Sequence, residues 1–120
     1  MAGELSFFSI GVGDVARGGA FYGDLLGWEL EEVSGGLVVS GGGVDGGIHG
    51  GDAGASPYVF FRVDDLDAAL ARVEALGGAR EPVGEDHGDE DQVARFGRFA
   101  LCRDDQGSSF GLHEPPGAGR

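Results

Sequence analysis

Apolar and polar residues alternate over residues 5–12, LSFFSIGV, as they do along a half-buried β-strand. The pattern then changes to the spacing of an amphipathic helix, which Asp14 can cap and Gly27 can end. Trp28 opens a second alternating stretch. The pattern therefore predicts a strand, a helix and another strand. The predicted apolar face of the helix consists of Ala20, Phe21, Leu25 and Leu26.

The same order of elements occurs a second time along the chain. Gly78 follows a strand, an acidic cap and a helix in the second copy, as Gly27 does in the first. Two copies indicate a duplicated module rather than a solenoid, so we expect one domain over residues 1–120, with module one at about 5–51 and module two at about 57–114. Residues 51–56, GDAGAS, have the composition of a flexible linker. The other predicted strands lie near residues 28–33, 37–40, 44–50, 58–63, 96–102 and 108–113, and the second helix near 66–76.

These segments resemble the vicinal oxygen chelate superfamily, which includes glyoxalases, extradiol dioxygenases, fosfomycin resistance enzymes and bleomycin resistance proteins. AFYGDLLGW at residues 20–28 is similar to the first-helix signature of the superfamily, and LDAALARVEALGG at 66–78 to its second helix. RDDQGSSFGL at 103–112 is similar to its final turn and strand. The resemblance implies an α+β fold, with two βαβββ modules that form curled mixed sheets around a ligand cavity. It leaves the function open, because one fold hosts many chemistries.

Strand alternation separates two faces of the strands that open the modules. One face is apolar in both modules and is predicted to lie under the helices: Phe8, Ile10 and Val12, with Val59, Phe61 and Val63. Ile48 and Leu112 have the same parity on the closing strands. The other face mixes aromatic, basic and small residues, as small-molecule pockets do. The predicted ligand-binding residues are Phe7, Trp28, Gly47, His49, Tyr58, Phe60, Arg62, Gly111 and His113.

The resemblance also implies where a metal would bind. Enzymes of the superfamily hold a divalent metal with four side chains, and the matching positions here are Phe7, Gly47, Tyr58 and Gly111. Because phenylalanine and glycine side chains cannot ligate, we predict no metal and no other cofactor. His49 and His113 each lie two residues beyond one of these positions and are candidates for hydrogen bonding to a ligand or for acid–base chemistry. A displaced metal site that uses both histidines and Glu114 stays open as an alternative.

Charge and size restrict the partners. The net charge of −13 argues against nucleic acid and an anionic membrane, and it favours either neutral or cationic ligands or simply solubility. The single cysteine, Cys102, excludes an internal disulfide and suits a reducing cytoplasm. With 120 residues the chain buries a modest core, and its sheets have edges to protect, so we expect a homodimer. The stretch at residues 84–92, which includes His87, is either a solvated loop or an acidic lip that attracts a cation.

These observations give three functional hypotheses. The first is metal-free binding of an aromatic small molecule, such as sequestration of an antibiotic, with Phe7, Tyr58 and Phe60 as walls. Gly47 and Gly111 would leave room for a ligand ring. Arg62, at the rim of the pocket, would bind an anionic group of the ligand. The alternative is a metal-independent isomerase, cyclase or lyase, with catalytic groups among His49, His113 and Tyr58. The third is a purely structural or partner role.

Overall fold

A computed structural model describes residues 3–81 and 94–117. Within these residues the order βαβββ occurs twice along the chain, which confirms the predicted α+β class. The acidic stretch at 84–92 and His87 lie outside the described residues. The elements are β1 (Leu5–Gly11), α1 (Val15–Leu26), β2 (Glu29–Val33), β3 (Gly36–Ser40) and β4 (Asp45–His49), then β5 (Tyr58–Arg62), α2 (Leu66–Ala75), β6 (Ala79–Arg80), β7 (Arg98–Arg103) and β8 (Ser109–Glu114). The sequence did not predict the two-residue strand β6.

The chain divides into two compact units. The first unit is Phe7–Val59, and its strands follow the order β2-β3-β4-β1, with β1 and β4 parallel and the other pairs antiparallel. The β1–β4 register places Ser9 beside Gly47.

The second unit is Met1–Ser6 with Phe60–Arg120, and its strands follow the order β5-β8-β7-β6. Strands β5 and β8 are parallel, and the other two pairs are antiparallel. The β5–β8 register places Phe60 beside Gly111 and Arg62 beside His113. Each unit therefore has a mixed sheet.

Helix α1 begins and ends where its sequence predicts. The Asp14 side chain accepts a hydrogen bond from the Arg17 backbone N–H at 3.1 Å, and this caps the first turn. Gly27 has a φ of +73°, a left-handed conformation that favours glycine at a helix C-terminus. Local capping chemistry thus fixes both ends of the helix.

The predicted apolar face of α1 is wrong. Phe21, Leu25 and Leu26 are 61%, 65% and 51% exposed, and Ala20 is exposed as well. The helix instead turns Gly18 and Gly19 inward. A Cβ at Gly19 would lie 2.5 Å from the Leu37 side chain, so glycine allows a close approach to the sheet that a larger residue would block.

The core of each unit lies between its helix and its sheet. In the first unit Ile10, Val39 and Ile48 are buried, with Phe8 and Tyr22 packed against them. In the second unit the buried residues are Leu66, Leu70, Ala100, Cys102 and Leu112. Ile48 and Leu112 therefore lie in the cores, as predicted.

Val59 departs from the predicted apolar face, because it is 38% exposed. The β5–β8 ladder begins one residue later, at Phe60. Within the described residues, no helix is both long and apolar enough to cross a bilayer.

Candidate functional site

A chain of hydrogen bonds joins three polar side chains in the first unit. Ser9 Oγ lies 2.7 Å from His49 Nδ1, and His49 Nε2 lies 2.9 Å from Asp52 Oδ2. The His49 and Asp52 side chains are 36% and 35% exposed, and Ser9 is half-buried. A serine, a histidine and a carboxylate are thus connected in series at a position that solvent reaches.

Tyr58 completes this cluster from the start of β5. Its hydroxyl donates a hydrogen bond of 2.9 Å to Asp52 Oδ2, the same oxygen that faces His49. The Tyr58 and His49 rings are 5.7 Å apart and tilted by 42°. The hydrogen bond from His49, followed by that from Tyr58, lowers the pKa of Asp52 below its ordinary value. Asp52 is therefore ionised at neutral pH.

The ionised carboxylate determines which nitrogen of His49 carries the proton. A carboxylate can only accept, so His49 Nε2 donates to Asp52. In the neutral imidazole Nδ1 then carries the lone pair and accepts from the Ser9 hydroxyl. The arrangement presents a basic nitrogen whose orientation and tautomer are both fixed.

Backbone hydrogen bonds hold this cluster against the end of β1. The Val12 N–H donates to the His49 carbonyl at 2.9 Å, and the Asp52 N–H donates to the Val12 carbonyl at 3.0 Å. A Cβ at Gly11 would lie 2.5 Å from Asp52 Oδ2, so glycine makes room for the carboxylate. Backbone hydrogen bonds thus hold Asp52 in place, and the absence of a side chain at Gly11 leaves space for its carboxylate.

Asp52 is not among the residues predicted for the site, because it lies in the segment at 51–56, whose composition predicts a flexible linker. That prediction is wrong for Asp52, which is tied down through both its backbone and its side chain. The available signal was a carboxylate three residues after a candidate histidine. The composition of the segment gives no indication of this role, since glycine and alanine flank Asp52.

His113 is held differently, inside the second unit. It is 5% exposed, its Nδ1 lies 2.9 Å from Ser6 Oγ, and its Nε2 lies 2.6 Å from the Phe96 carbonyl oxygen. Its ring stacks on Phe99 with centroids 4.4 Å apart and planes 2° apart. His113 therefore shares the serine contact of His49, but its second nitrogen faces a neutral carbonyl and its ring is buried.

The glycines at two predicted site positions have different surroundings. The ring of Phe60, which is itself 7% exposed, occupies the space where a side chain at Gly111 would lie. Phe60 also meets Phe99 edge-on, with centroids 5.2 Å apart. At Gly47 a Cβ would be 3.2 Å from the Leu37 carbonyl oxygen and 3.9 Å from the Phe7 ring. The space predicted for a ligand ring at Gly111 is thus filled by the protein itself.

Two further predicted site residues lie outside the His49 cluster. Trp28 stacks on Tyr22, with centroids 5.8 Å apart, and packs against the core of the first unit. Arg62 lies 3.9 Å from a Glu4 carboxylate oxygen and 3.7 Å from one of Asp64. Arg62 was predicted to bind an anionic group of a ligand, but two carboxylates of its own chain lie beside it.

The residues present do not fit the metal site of the superfamily. Phe7, Gly47 and Gly111 offer no donor atom, and the Tyr58 hydroxyl already donates to Asp52. Across the described ranges, histidine, cysteine and carboxylate side chains form no group of three or more that could hold a metal ion. The chemistry of this site is therefore derived from its own side chains.

Two βαβββ halves with the opening and closing strands parallel define the vicinal oxygen chelate class. The chain belongs to the glyoxalase-like domain family, whose model matches residues 8–113. No curated protein sequence matches the chain significantly.

Solved structures have the same fold. Methylmalonyl-CoA epimerase from Mycobacterium tuberculosis is 22% identical, with a TM-score of 0.64 over 92% of this chain and 87% of that one. A Streptomyces coelicolor methylmalonyl-CoA epimerase is 14% identical, with a TM-score of 0.62 over 98% of both chains. Homoprotocatechuate 2,3-dioxygenase from B. fuscum is 19% identical, with a TM-score of 0.60 over 96% of this chain but 34% of the dioxygenase. At these identities the likeness concerns the fold alone.

Proposed function

We propose that this protein is a metal-independent enzyme that moves a proton on a small-molecule substrate, with His49 as the general base and acid. The observation that carries the proposal is the hydrogen bond of 2.9 Å between His49 Nε2 and the ionised Asp52. A base needs a fixed lone pair, and the hydrogen bond from Nε2 to Asp52 fixes that of His49 Nδ1, on a side chain that is 36% exposed.

The chemistry follows from the charges at the site. When His49 Nδ1 takes a proton from the substrate, the imidazolium that forms lies beside the Asp52 carboxylate, which stabilises it. Return of that proton from Nδ1 to another atom of the substrate completes an isomerisation, whereas epimerisation also requires the deprotonated carbon to turn its other face to Nδ1. Such proton transfer contributes about 10²- to 10⁴-fold to a rate. The Ser9 hydroxyl, which donates to Nδ1 at 2.7 Å, gives up this hydrogen bond when the substrate binds.

A carbon acid next to a carbonyl is the substrate class that we propose. Two of the similar structures are named as epimerases, enzymes that invert a carbon stereocentre. The net charge of −13 favours neutral or cationic substrates over polyanions. The Tyr58 ring beside His49 offers an apolar surface for an aromatic part of the substrate.

Sequestration of an aromatic antibiotic is the weaker hypothesis. It relied on open space at Gly111, which the Phe60 ring fills. It also gives no role to a histidine that is bonded to an ionised carboxylate, whereas proton transfer uses that pair directly. Both hypotheses share the binding of a small molecule without a metal, and they differ in whether His49 exchanges protons with it.

The test is solvent deuterium exchange. The protein is incubated in D₂O with a panel of thioesters, ketones and α-hydroxy acids, and mass spectrometry follows deuterium uptake next to the carbonyl. We expect uptake in at least one substrate and its loss in His49→Gln, with Ser6→Ala, which alters the buried serine–histidine pair, as the matched control. If a bound panel member exchanges no deuterium and binds His49→Gln equally well, the protein sequesters its ligand and the enzyme proposal fails.

We also propose that the protein acts as a homodimer in a reducing cytoplasm. Phe21, Leu25 and Leu26 expose a contiguous apolar strip on α1, and a large exposed apolar patch marks an interaction surface. A second copy offers the same strip, so two-fold pairing covers both at once. Cys102 is free and buried, which fits a compartment that keeps thiols reduced.

A further inference from the structure

We infer that Ser9 is a nucleophile, and that the Ser9–His49–Asp52 series gives this protein an acyl-transfer activity toward activated esters and thioesters. The inference rests on the same His49–Asp52 pair as the proposed function and adds a covalent step to it. Serine is a weak nucleophile unless a base takes its proton, and Ser9 Oγ lies 2.7 Å from the one nitrogen of His49 that can do so.

The direction of each hydrogen bond supports this role. Asp52 accepts from His49 Nε2 and from the Tyr58 hydroxyl, both at Oδ2 and both at 2.9 Å. With Nε2 protonated, Nδ1 accepts from Ser9, so the Ser9 proton already points at its acceptor. The order of groups is that of a nucleophile, a base and an orienting carboxylate, with the two imidazole nitrogens exchanged relative to the serine protease arrangement.

Another serine–histidine pair within the described residues shows what a purely structural hydrogen bond looks like. His113 Nδ1 also lies within hydrogen-bond distance of a serine, Ser6, at 2.9 Å. Its Nε2, however, donates to the neutral Phe96 carbonyl, and the ring is 5% exposed. An imidazolium formed there would be buried without a carboxylate on that hydrogen bond, which is unfavourable. Of these two pairs, the one at His49 combines a carboxylate with an imidazole side chain that is 36% exposed.

The reaction balances with water as the co-reactant. Ser9 Oγ attacks the acyl carbon while His49 Nδ1 takes the hydroxyl proton, and a bond forms between Oγ and carbon. The bond from carbon to the leaving alcohol or thiol breaks, and that group takes the proton from Nδ1. Water then attacks the acyl-Ser9 ester, giving one proton to Nδ1, and Nδ1 returns it to Ser9 as the acid leaves.

p-Nitrophenyl acetate is the probe, because its leaving group is coloured and its acetyl group is small. We expect a burst of p-nitrophenolate and an acetyl group on the peptide that contains Ser9, found by mass spectrometry after acid quenching. The chain contains no lysine, so amine acetylation is confined to the N-terminus and gives a low background. Ser9→Ala and His49→Gln should lose the Ser9 acetyl group, and Asp52→Asn should slow its formation by about 100-fold or more.

Ser6→Ala is the matched control and should keep the full burst, since Ser6 bonds the buried histidine. Urea unfolding of every variant shows whether it is folded. If the wild-type protein exchanges deuterium into carbon acids but never acetylates Ser9, this inference falls and the proposed function stands. If Ser9 is acetylated equally in His49→Gln, His49 does not activate it and the inference is overturned. If the folded protein does neither, both proposals fall.

Discussion

The ring of Phe60 lies over the backbone of Gly111, in the space that a Cβ at Gly111 would take. The two residues are register partners on the parallel strands β5 and β8. The sequence invites the opposite interpretation, in which glycine leaves a vacancy for a ligand. The glycine instead accommodates a buried aromatic ring of its own sheet.

Gly111→Ala should therefore destabilise the protein by about 1–3 kcal/mol, the usual cost of overpacking a core. Combining it with Phe60→Leu should recover part of that loss, because leucine withdraws the ring atoms that the new methyl meets. Urea unfolding of the two single variants and the double variant measures this coupling. Additive losses would mean that Phe60 does not fill this space. Gly111→Glu, which brings a charge as well, should fail to fold.

The lowered pKa of Asp52 predicts a specific acid sensitivity. A carboxyl group whose folded pKa lies below its ordinary value of 3.8 stabilises the protein above that value, and this contribution is lost as the pH falls through the folded pKa. Asp52→Asn should thus be less stable than the wild type at about pH 6, and the difference should shrink towards about pH 2.5. Urea midpoints across this range provide the measurement.

Asp24→Asn is the control for Asp52→Asn, because it changes the net charge equally at an exposed position on α1. A stability difference between Asp52→Asn and the wild type that stays constant with pH would contradict the hydrogen bonds from His49 and Tyr58.

Cys102 should be unreactive in the folded protein. The residue is fully buried, and burial raises the pKa of its thiol, so little of the nucleophilic thiolate is present at neutral pH. We expect 5,5′-dithiobis(2-nitrobenzoic acid) to react with it only on the timescale of unfolding, and at once in guanidinium chloride. Rapid stoichiometric reaction in native buffer would mean that the core around Leu112 and Ala100 opens readily.

The apolar strip on α1 predicts the assembly state. Light scattering should give about twice the monomer mass of 12.3 kDa at micromolar concentration, and Leu25→Glu should reduce it to the monomer. Leu76→Glu is the matched control, since Leu76 is a similarly exposed leucine at the end of α2, 61% against 65%. A wild-type monomer would contradict the proposal, and equal dissociation by both variants would contradict the assignment to α1.

Features that depend on neighbours in the chain could be predicted from the sequence. Asp14 and Gly27 bound α1 because a cap and a left-handed glycine act within one helical turn. The alternation that placed Ile48 and Leu112 in the cores is likewise a local property of strands. The duplicated order of elements, together with its resemblance to a known superfamily, then implied the fold class.

The missed features depend on contacts between distant segments. The rotation of α1 follows from the close approach of Gly19 to Leu37, which no periodicity of large apolar residues reveals. Asp52 gains its role only when its backbone bonds to Val12 and its carboxylate meets His49. His49 and His113 look equivalent in the sequence, yet one meets a carboxylate and the other a carbonyl. Such differences arise from the fold and cannot be read from spacing.

The first few residues of the chain belong structurally with its second half. Gly3 and Glu4 exchange backbone hydrogen bonds of 2.8 Å with Arg62, and Ser6 bonds His113 across 107 positions of sequence. A fragment that begins between the two modules, near residue 57, would consequently lack the N-terminal residues of its own unit. The backbone of β5 would then be exposed to pairing with other chains. Residues 3–6 thus precede the first unit in the sequence but form hydrogen bonds within the second. Dissecting the gene into its repeats would yield fragments that aggregate, whereas supplying residues 3–6 as a peptide should restore order to the longer fragment.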